Sequence, residues 1–283
     1  MEHRSIYEQI AGRTDGTVYI GVVGPVRTGK STFIKRFMEQ LVLPNIENVY
    51  ERERATDELP QSGSGRTIMT AEPKFVPEEA VELRLAEGAA FSVRLVDCVG
   101  YMVDSAVGQF EDLSPRMVMT PWFDHEIPMT EAAEIGTRKV ITDHATVGVV
   151  VTTDGTITDI PREDYREAEE RVIRELQDIG KPFVVLVNSA QPEDPRAAAA
   201  AAEIQTRYGV TCRCVNCLTL TEEDIGDILR DLLYQFPLRE LDVFLPEWVD
   251  ALPGEHPIRS GLYQEIGEAA SQLTRICALP PCL

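Results

Sequence analysis

The chain has 283 residues, 43% of them hydrophobic and 26% charged, the balance of a globular protein with room for one large domain and part of another. Lys and Arg number 27 against 47 Asp and Glu, and a net charge of −20 repels phosphate backbones and anionic headgroups, which excludes nucleic acid as a partner. No apolar stretch approaches the ~20 residues that cross a bilayer, and Met1-Glu2-His3-Arg4-Ser5 lacks the apolar core of a secretion signal. The expectation is a cytoplasmic protein with no transmembrane segment.

The first apolar run, Val18 to Val23, leads directly into Gly24-Pro-Val-Arg-Thr-Gly-Lys-Ser31, a complete G-x-x-x-x-G-K-[ST] phosphate-binding loop. Such a loop works because backbone N–H groups in a glycine-rich turn point inward at an anion, while the positive end of the following helix dipole faces the same anion. That helix is expected here, with Phe33, Ile34, Phe37 and Leu41 on its buried side. Gly24, Arg27, Thr28 and Gly29 form the cradle, Lys30 reaches the β- and γ-phosphates, Ser31 binds Mg²⁺, and Thr32 follows one step into the helix.

From Asp57 to Thr67 the chain is polar, glycine-rich and without periodicity, the place for a switch loop. Thr70 follows, where a switch threonine bonds Mg²⁺ or the γ-phosphate, and Thr67 is the rival for that role. Val81–Leu85 and Phe91–Val96 alternate apolar and polar residues across the short link 86–90, so they read as a hairpin that places one edge strand antiparallel. The second run ends in Asp97-Cys-Val-Gly100, a D-x-x-G motif. Its carboxylate holds Mg²⁺ through the metal's water shell and the Gly100 N–H meets the γ-phosphate. The next residue, where many GTPases carry a water-orienting Gln, is Tyr101, so turnover is expected to be slow.

Further strands are expected at Val147–Thr152, Phe183–Val187 and Thr211–Val215, apolar at nearly every position as in a parallel sheet buried on both faces. Between them, Glu163 to Ile179 forms an apolar stripe through Tyr165, Ala168, Val172, Ile173, Leu176 and Ile179, and the alanine run 197–202 continues as helix to Gly209. The strand at 183–187 ends in Asn188-Ser-Ala-Gln191. A GTPase has N-K-x-D there, and its Asp accepts two hydrogen bonds from guanine; here the Lys is Ser189 and the Asp is Gln191. The loss of that acceptor costs selectivity of the order of an unpaired buried donor, so ATP is the expected nucleotide. Asn188 keeps its place in the site.

The six cysteines make no disulfide framework. Cys212, Cys214 and Cys217 lack a second ligand pair and read as small apolar residues of a strand, while Cys277 and Cys282 sit in a Pro-Pro tail. After Leu238 the pattern changes, with prolines at 253 and 257 and helix from Leu262. The fold class is therefore α/β, a doubly wound P-loop NTPase domain of GTPase-like type over residues 1–240, with a mostly parallel sheet and one antiparallel edge strand. Residues 241–283 read as a linker and the start of a second, incomplete domain.

The blocks Gly24 to Ser31, Asp57 to Ser62, Arg66 to Thr70, Glu72 to Pro77, Leu95 to Tyr101, Glu131 to Lys139 and Thr152 to Thr156 closely resemble the stage IV sporulation protein A family of endospore-forming bacteria. The resemblance implies an ATPase of GTPase-like fold that hydrolyses ATP while assembling irreversibly into a polymer, the basement layer of the spore coat. It also implies a location on the mother-cell side of the forespore outer membrane, with a short amphipathic membrane-anchoring peptide and other coat proteins as partners. By position, Lys30 and Ser31 bind phosphate and Mg²⁺, Asp97 supports the metal and Thr70 is the sensor threonine for hydrolysis. The family has a second threonine where this chain has Ala71, and it continues beyond Leu283 into a region that contacts the anchor and supports the polymer, a region expected to be missing here. The alternatives are a regulatory GTPase-like switch with an effector and a small-molecule P-loop kinase; the altered guanine motif opposes the first, and the lack of a substrate lid with clustered Arg opposes the second.

Overall fold

The computed structural model describes residues 13–14, 16–60, 73–84, 90–103, 105–106, 110–111, 114–238, 241–273 and 275. The chain divides into two compact units, Met1–Leu232 and Leu233–Leu283.

In the first unit the elements are β1 (Thr17–Val23), α1 (Lys30–Phe37), α2 (Val49–Asp57), β2 (Lys74–Arg84), β3 (Ala90–Asp97), α3 (Met129–Lys139), β4 (Val147–Thr153), α4 (Arg166–Asp178), β5 (Phe183–Asn188), α5 (Pro195–Tyr208), β6 (Cys212–Val215) and α6 (Glu222–Leu233). One six-stranded sheet takes the order β6-β5-β4-β1-β3-β2. Every neighbouring pair is parallel except β2 with β3, the expected antiparallel edge. The chain leaves β1 toward β3 and later returns to β4 on its other side. Strand order therefore reverses at β1, and the carboxyl end of such a strand opens into the crevice where doubly wound sheets bind ligands. The loop Gly24 to Ser31 leaves β1 at that point.

The central strands are hydrophobic because both faces are covered: each residue of β4 and of β5 is buried. Helix α4 buries Ala168, Val172, Ile173 and Leu176 together with Glu169, and its other Glu and Arg residues lie on the more exposed faces. Its first expected turn is a 3₁₀ turn at Arg162–Tyr165, and Ile179, expected on the buried stripe, lies beyond the helix and is 46% exposed. Asp194 caps α5 by accepting the Arg196 N–H at 2.8 Å, Pro195 occupies the first helical position, and Gly209 closes the helix at φ 63°. Helix α6 starts with a reciprocal cap, in which Thr221 N–H donates to Asp224 at 2.9 Å and Asp224 N–H donates to Thr221 Oγ1 at 3.2 Å.

Three expectations shift. Strand β2 begins at Lys74, ahead of the expected Val81, and its register with β3 slips between Val76 and Val81, so a bulge around Pro77 hides the alternation upstream. Asp57, expected in a loop, closes α2, a helix that buries only Ala55 and so carries no apolar stripe to read. In the second unit, helix α8 (Pro257–Gln272), which follows the single turn α7 (Glu247–Asp250), starts at a Pro that is a favourable first helical residue rather than a break. Among the described residues no helix is long and apolar enough to cross a membrane.

One buried ion pair sits between the end of β4 and the start of α4. Arg162 donates to both oxygens of Glu169 at 2.7 and 2.8 Å, Thr152 Oγ1 donates to Glu169 at 2.6 Å, and the two charged side chains are only 11% and 3% exposed. Removing one partner strands a buried charge at a cost of about 3–5 kcal/mol. Glu169→Ala is expected to lower the midpoint of urea unfolding by that amount of stability, measured by circular dichroism, with the slope unchanged; an unaltered midpoint would contradict the assignment.

Candidate nucleotide-binding site

The loop from Gly24 to Ser31 is shaped by backbone conformations that most residues avoid. Gly24 has φ 135°, Gly29 has φ 95°, and Arg27 takes the left-handed value of 62°. A Cβ on Gly24 would lie 2.3 Å from the Val151 carbonyl oxygen, and one on Gly29 would lie 2.3 Å from the Asn188 amide nitrogen. Both glycines are therefore required by close approach as well as by φ. Phe33 N–H donates to the Gly29 carbonyl at 2.9 Å, so α1 begins at the loop and its free N-terminal donors face the turn.

The expected functional groups converge. Ser31 Oγ donates to Asp97 Oδ2 at 2.8 Å, across from the end of β3. The other oxygen, Asp97 Oδ1, is buried with no hydrogen-bond partner among the described residues. Lys30 is 4% exposed, and its ammonium donates to the Pro25 carbonyl at 2.6 Å. A Cβ on Gly100, which has φ 95°, would meet Lys30 Nζ at 2.5 Å and the Gly24 carbonyl at 2.2 Å, so the D-x-x-G turn packs onto both ends of the phosphate loop. Burial pushes the Lys30 pKa down and the Asp97 pKa up; the Ser31 hydrogen bond and the Lys30 charge oppose the rise at Asp97. Two hard oxygen donors, one of them an unpartnered buried carboxylate oxygen, suit Mg²⁺, which takes one or two protein ligands and fills its shell with water and phosphate.

Other expected residues have duties within the protein. Thr28 is fully buried and its hydroxyl donates to the Pro25 carbonyl at 3.0 Å. Thr32 is half-buried on the first turn of α1. Gly100 N–H donates to Thr137 Oγ1 of α3 at 3.2 Å. The Asn188 amide donates to the Thr28 carbonyl at 2.9 Å and accepts the Cys217 N–H at 3.0 Å, so it ties the phosphate loop to the turn after β6. Thr67, Thr70 and Ala71 lie outside the described residues, as do Cys277 and Cys282.

Two structural roles escape the sequence. Tyr101 is 2% exposed; its N–H donates to the Gly24 carbonyl at 3.2 Å, its carbonyl accepts the Val26 N–H at 2.9 Å, and its hydroxyl bonds Glu175 of α4. The Arg171 guanidinium lies 4.3 Å above its ring. Burial, with the Glu175 bond, pushes the phenol pKa far up. The residue in the water-orienting position is thus a clasp between the loop and α4. Thr137 is the second, fully buried and carrying no sequence signal beyond its place in the block Glu131 to Lys139. Among the described residues the buried cysteines behave as small apolar groups: burial raises the Cys98 thiol to about 11 and Cys217 to about 12. Among the described residues no group of His, Cys, Asp or Glu is placed to hold a metal by itself.

Residues 1–237 match the family model described as stage IV sporulation protein A, ATPase domain. Stage IV sporulation protein A of Bacillus subtilis (strain 168) is 50% identical over 276 residues, covering 98% of this chain and 56% of that protein. The protein of the same name from Clostridioides difficile (strain 630) is 47% identical over 274 residues, covering 97% of this chain and 56% of that one. The chain thus spans about half the length of the curated relatives it matches, 56% in each case. A solved structure of an SsGBP variant overlays with a TM-score of 0.42 at 13% identity, over 80% of this chain and 58% of that one, too loosely to carry an argument. With the phosphate loop, the Ser31–Asp97 pair and the matched sequence in agreement, the chain belongs to the stage IV sporulation protein A family and contains the region of its ATPase domain.

Proposed function

We propose that this chain binds MgATP at the crevice beyond β1 and hydrolyses it slowly, with hydrolysis coupled to its own assembly into the polymer that forms the basement layer of the bacterial spore coat. The observation that carries the nucleotide part is the meeting of Lys30, Ser31 and Asp97 around a loop whose glycines admit no side chain. The ATPase-domain match supports hydrolysis, and the names of the relatives support a role in sporulation. Polymerisation, the coat layer, the mother-cell side of the forespore outer membrane, the amphipathic anchoring peptide and the other coat proteins rest on the family resemblance. The division into a nucleotide domain at 1–240 and a second domain beginning at 241–283 rests on the change of sequence pattern after Leu238.

Each group has a task in this reading. The loop from Gly24 through Arg27, Thr28 and Gly29 and the N-terminus of α1, with Thr32 in its first turn, present donors to the phosphates. Lys30 would hold the β- and γ-phosphates; its side chain is buried, so its charge would be little screened by solvent. Ser31 and Asp97 would hold Mg²⁺, which would supply charge neutralisation for the phosphates. The Gly100 N–H, the expected γ-phosphate donor, is taken by Thr137 Oγ1 at 3.2 Å in this structure, so Gly100 acts here through its close packing on Lys30 and Gly24. Asn188 orients the loop by gripping the Thr28 carbonyl. Tyr101 is committed to Glu175, so the attacking water is oriented in another way; by family resemblance Thr70 is the sensor threonine for hydrolysis, and Ala71 stands where the family has a second threonine.

The competing regulatory GTPase is separated by nucleotide preference. Lys30→Ala is expected to weaken MgATP binding by roughly 10–100-fold, the worth of a charged hydrogen bond, and to abolish ATP-dependent sedimentation. Calorimetry with MgATP and MgGTP, followed by pelleting after incubation with each, reads both; tighter binding of GTP by the unaltered protein would sink the ATPase reading. Asp97→Asn keeps an acceptor for Ser31 but removes the charge. The Mg²⁺ concentration needed for half-maximal phosphate release is then expected to rise by about 10–100-fold, while melting temperature stays close to the parent's.

A further inference from the structure

We infer that Gln191 is the residue that reads adenine, its side-chain amide pairing with the base edge where a guanine-specific protein places a carboxylate. This rests on the ATPase reading above and goes beyond it. The sequence explains only why guanine is no longer selected; the structure adds a pinned backbone that carries a side chain suited to the other base.

Three observations place Gln191. First, it follows Asn188 by the N-x-x-Q spacing that replaces N-K-x-D, and Asn188 is anchored to the phosphate loop through the Thr28 carbonyl at 2.9 Å and to the turn after β6 through Cys217 N–H at 3.0 Å. The end of β5 is therefore held in register with the phosphate site. Second, the backbone around Gln191 is pinned. Its N–H donates to Ser189 Oγ at 3.0 Å and its carbonyl accepts Asp194 N–H at 3.0 Å. The preceding Ala190 N–H donates to Thr156 Oγ1 at 2.9 Å, and the Ala190 carbonyl accepts the Asn216 amide at 3.3 Å. Third, the Gln191 side chain is exposed and makes no hydrogen bond among the described residues, while Ser189, in place of the Lys, is fully buried. A fixed backbone therefore carries one uncommitted amide at the base-reading position.

The chemistry of that amide selects the base. A carboxylate offers only acceptors and suits guanine, whose ring N–H and exocyclic amine both donate. A carboxamide offers one acceptor and one donor side by side, the complement of adenine's exocyclic amine and the adjacent ring nitrogen. Guanine's donor pair would leave the amide N–H opposed to an N–H.

The test compares the unaltered protein with Gln191→Ala and Gln191→Glu, measuring dissociation constants for MgATP and MgGTP by calorimetry, with melting curves to confirm that each variant folds. The ratio of the two constants cancels any general repulsion of the anionic nucleotides by the new Glu. We expect the preference for ATP over GTP to fall about 10-fold in Gln191→Ala and to reverse in Gln191→Glu, where acceptors alone remain. An ATP-preferring parent whose ratio is the same in both variants would overturn the role of Gln191 and leave the ATPase reading standing. A parent that prefers GTP, or binds neither nucleotide, would overturn the ATPase reading itself.

Discussion

The site depends on backbone approaching closer than a Cβ would permit. Gly24 lies against the Val151 carbonyl, Gly29 against the Asn188 amide and Gly100 against the Gly24 carbonyl, with an added Cβ at 2.2–2.3 Å in each case. Each contact joins the phosphate loop to the carboxyl end of a different strand: β4, β5 and β3. The loop is therefore a lid pressed onto the sheet's reversal point, and its shape is inherited from strands that are themselves locked by burial on both faces.

That pressing brings chemistry together from distant parts of the chain. Ser31 and Asp97 meet across the gap between α1 and β3, and the Lys30 ammonium reaches the turn that follows β3. Asn188 donates to the Thr28 carbonyl and accepts the Cys217 N–H, so the end of β5 and the phosphate loop share one rigid support. On the far side Tyr101 joins the loop to α4 through Gly24, Val26 and Glu175. Hydrogen bonds made between buried groups on well-packed elements have few alternative geometries, which is how the site holds its donors ready before an anion arrives.

Electrostatics runs against the protein as a whole. A chain with net charge −20 repels a polyphosphate at long range. Locally, the N-terminus of α1 and the dehydrated Lys30 ammonium present positive potential in a crevice of low dielectric, where charge acts over short distances and is little screened by salt. Asp97, its pKa raised by burial, leaves its Oδ1 buried and without a hydrogen-bond partner among the described residues. In the proposed reading, this pairing of a buried cation and a buried carboxylate is what would favour an anion that arrives with its metal.

Periodicity and motif chemistry made much legible in the sequence. The apolar runs gave the buried strands, because a strand covered on both faces must be apolar throughout, and the stripes gave α1, α4 and α5. Lys30, Ser31 and Asp97 were readable because each motif couples a residue type to a spacing that phosphate and Mg²⁺ require. Helix α2 and the early start of β2 were hidden, the first because it buries a single alanine and the second because a bulge breaks alternation. The duties of Tyr101, Thr137 and Asn188 were hidden for a different reason. Motifs record which atoms face a ligand, whereas these side chains face the protein, and their partners lie tens of residues away in the chain. Sequence by itself thus determined the fold class, the phosphate loop and the loss of the guanine acceptor. Only the tertiary structure decided what holds the loop and where an uncommitted amide stands, because those depend on which distant segments packing brings into contact.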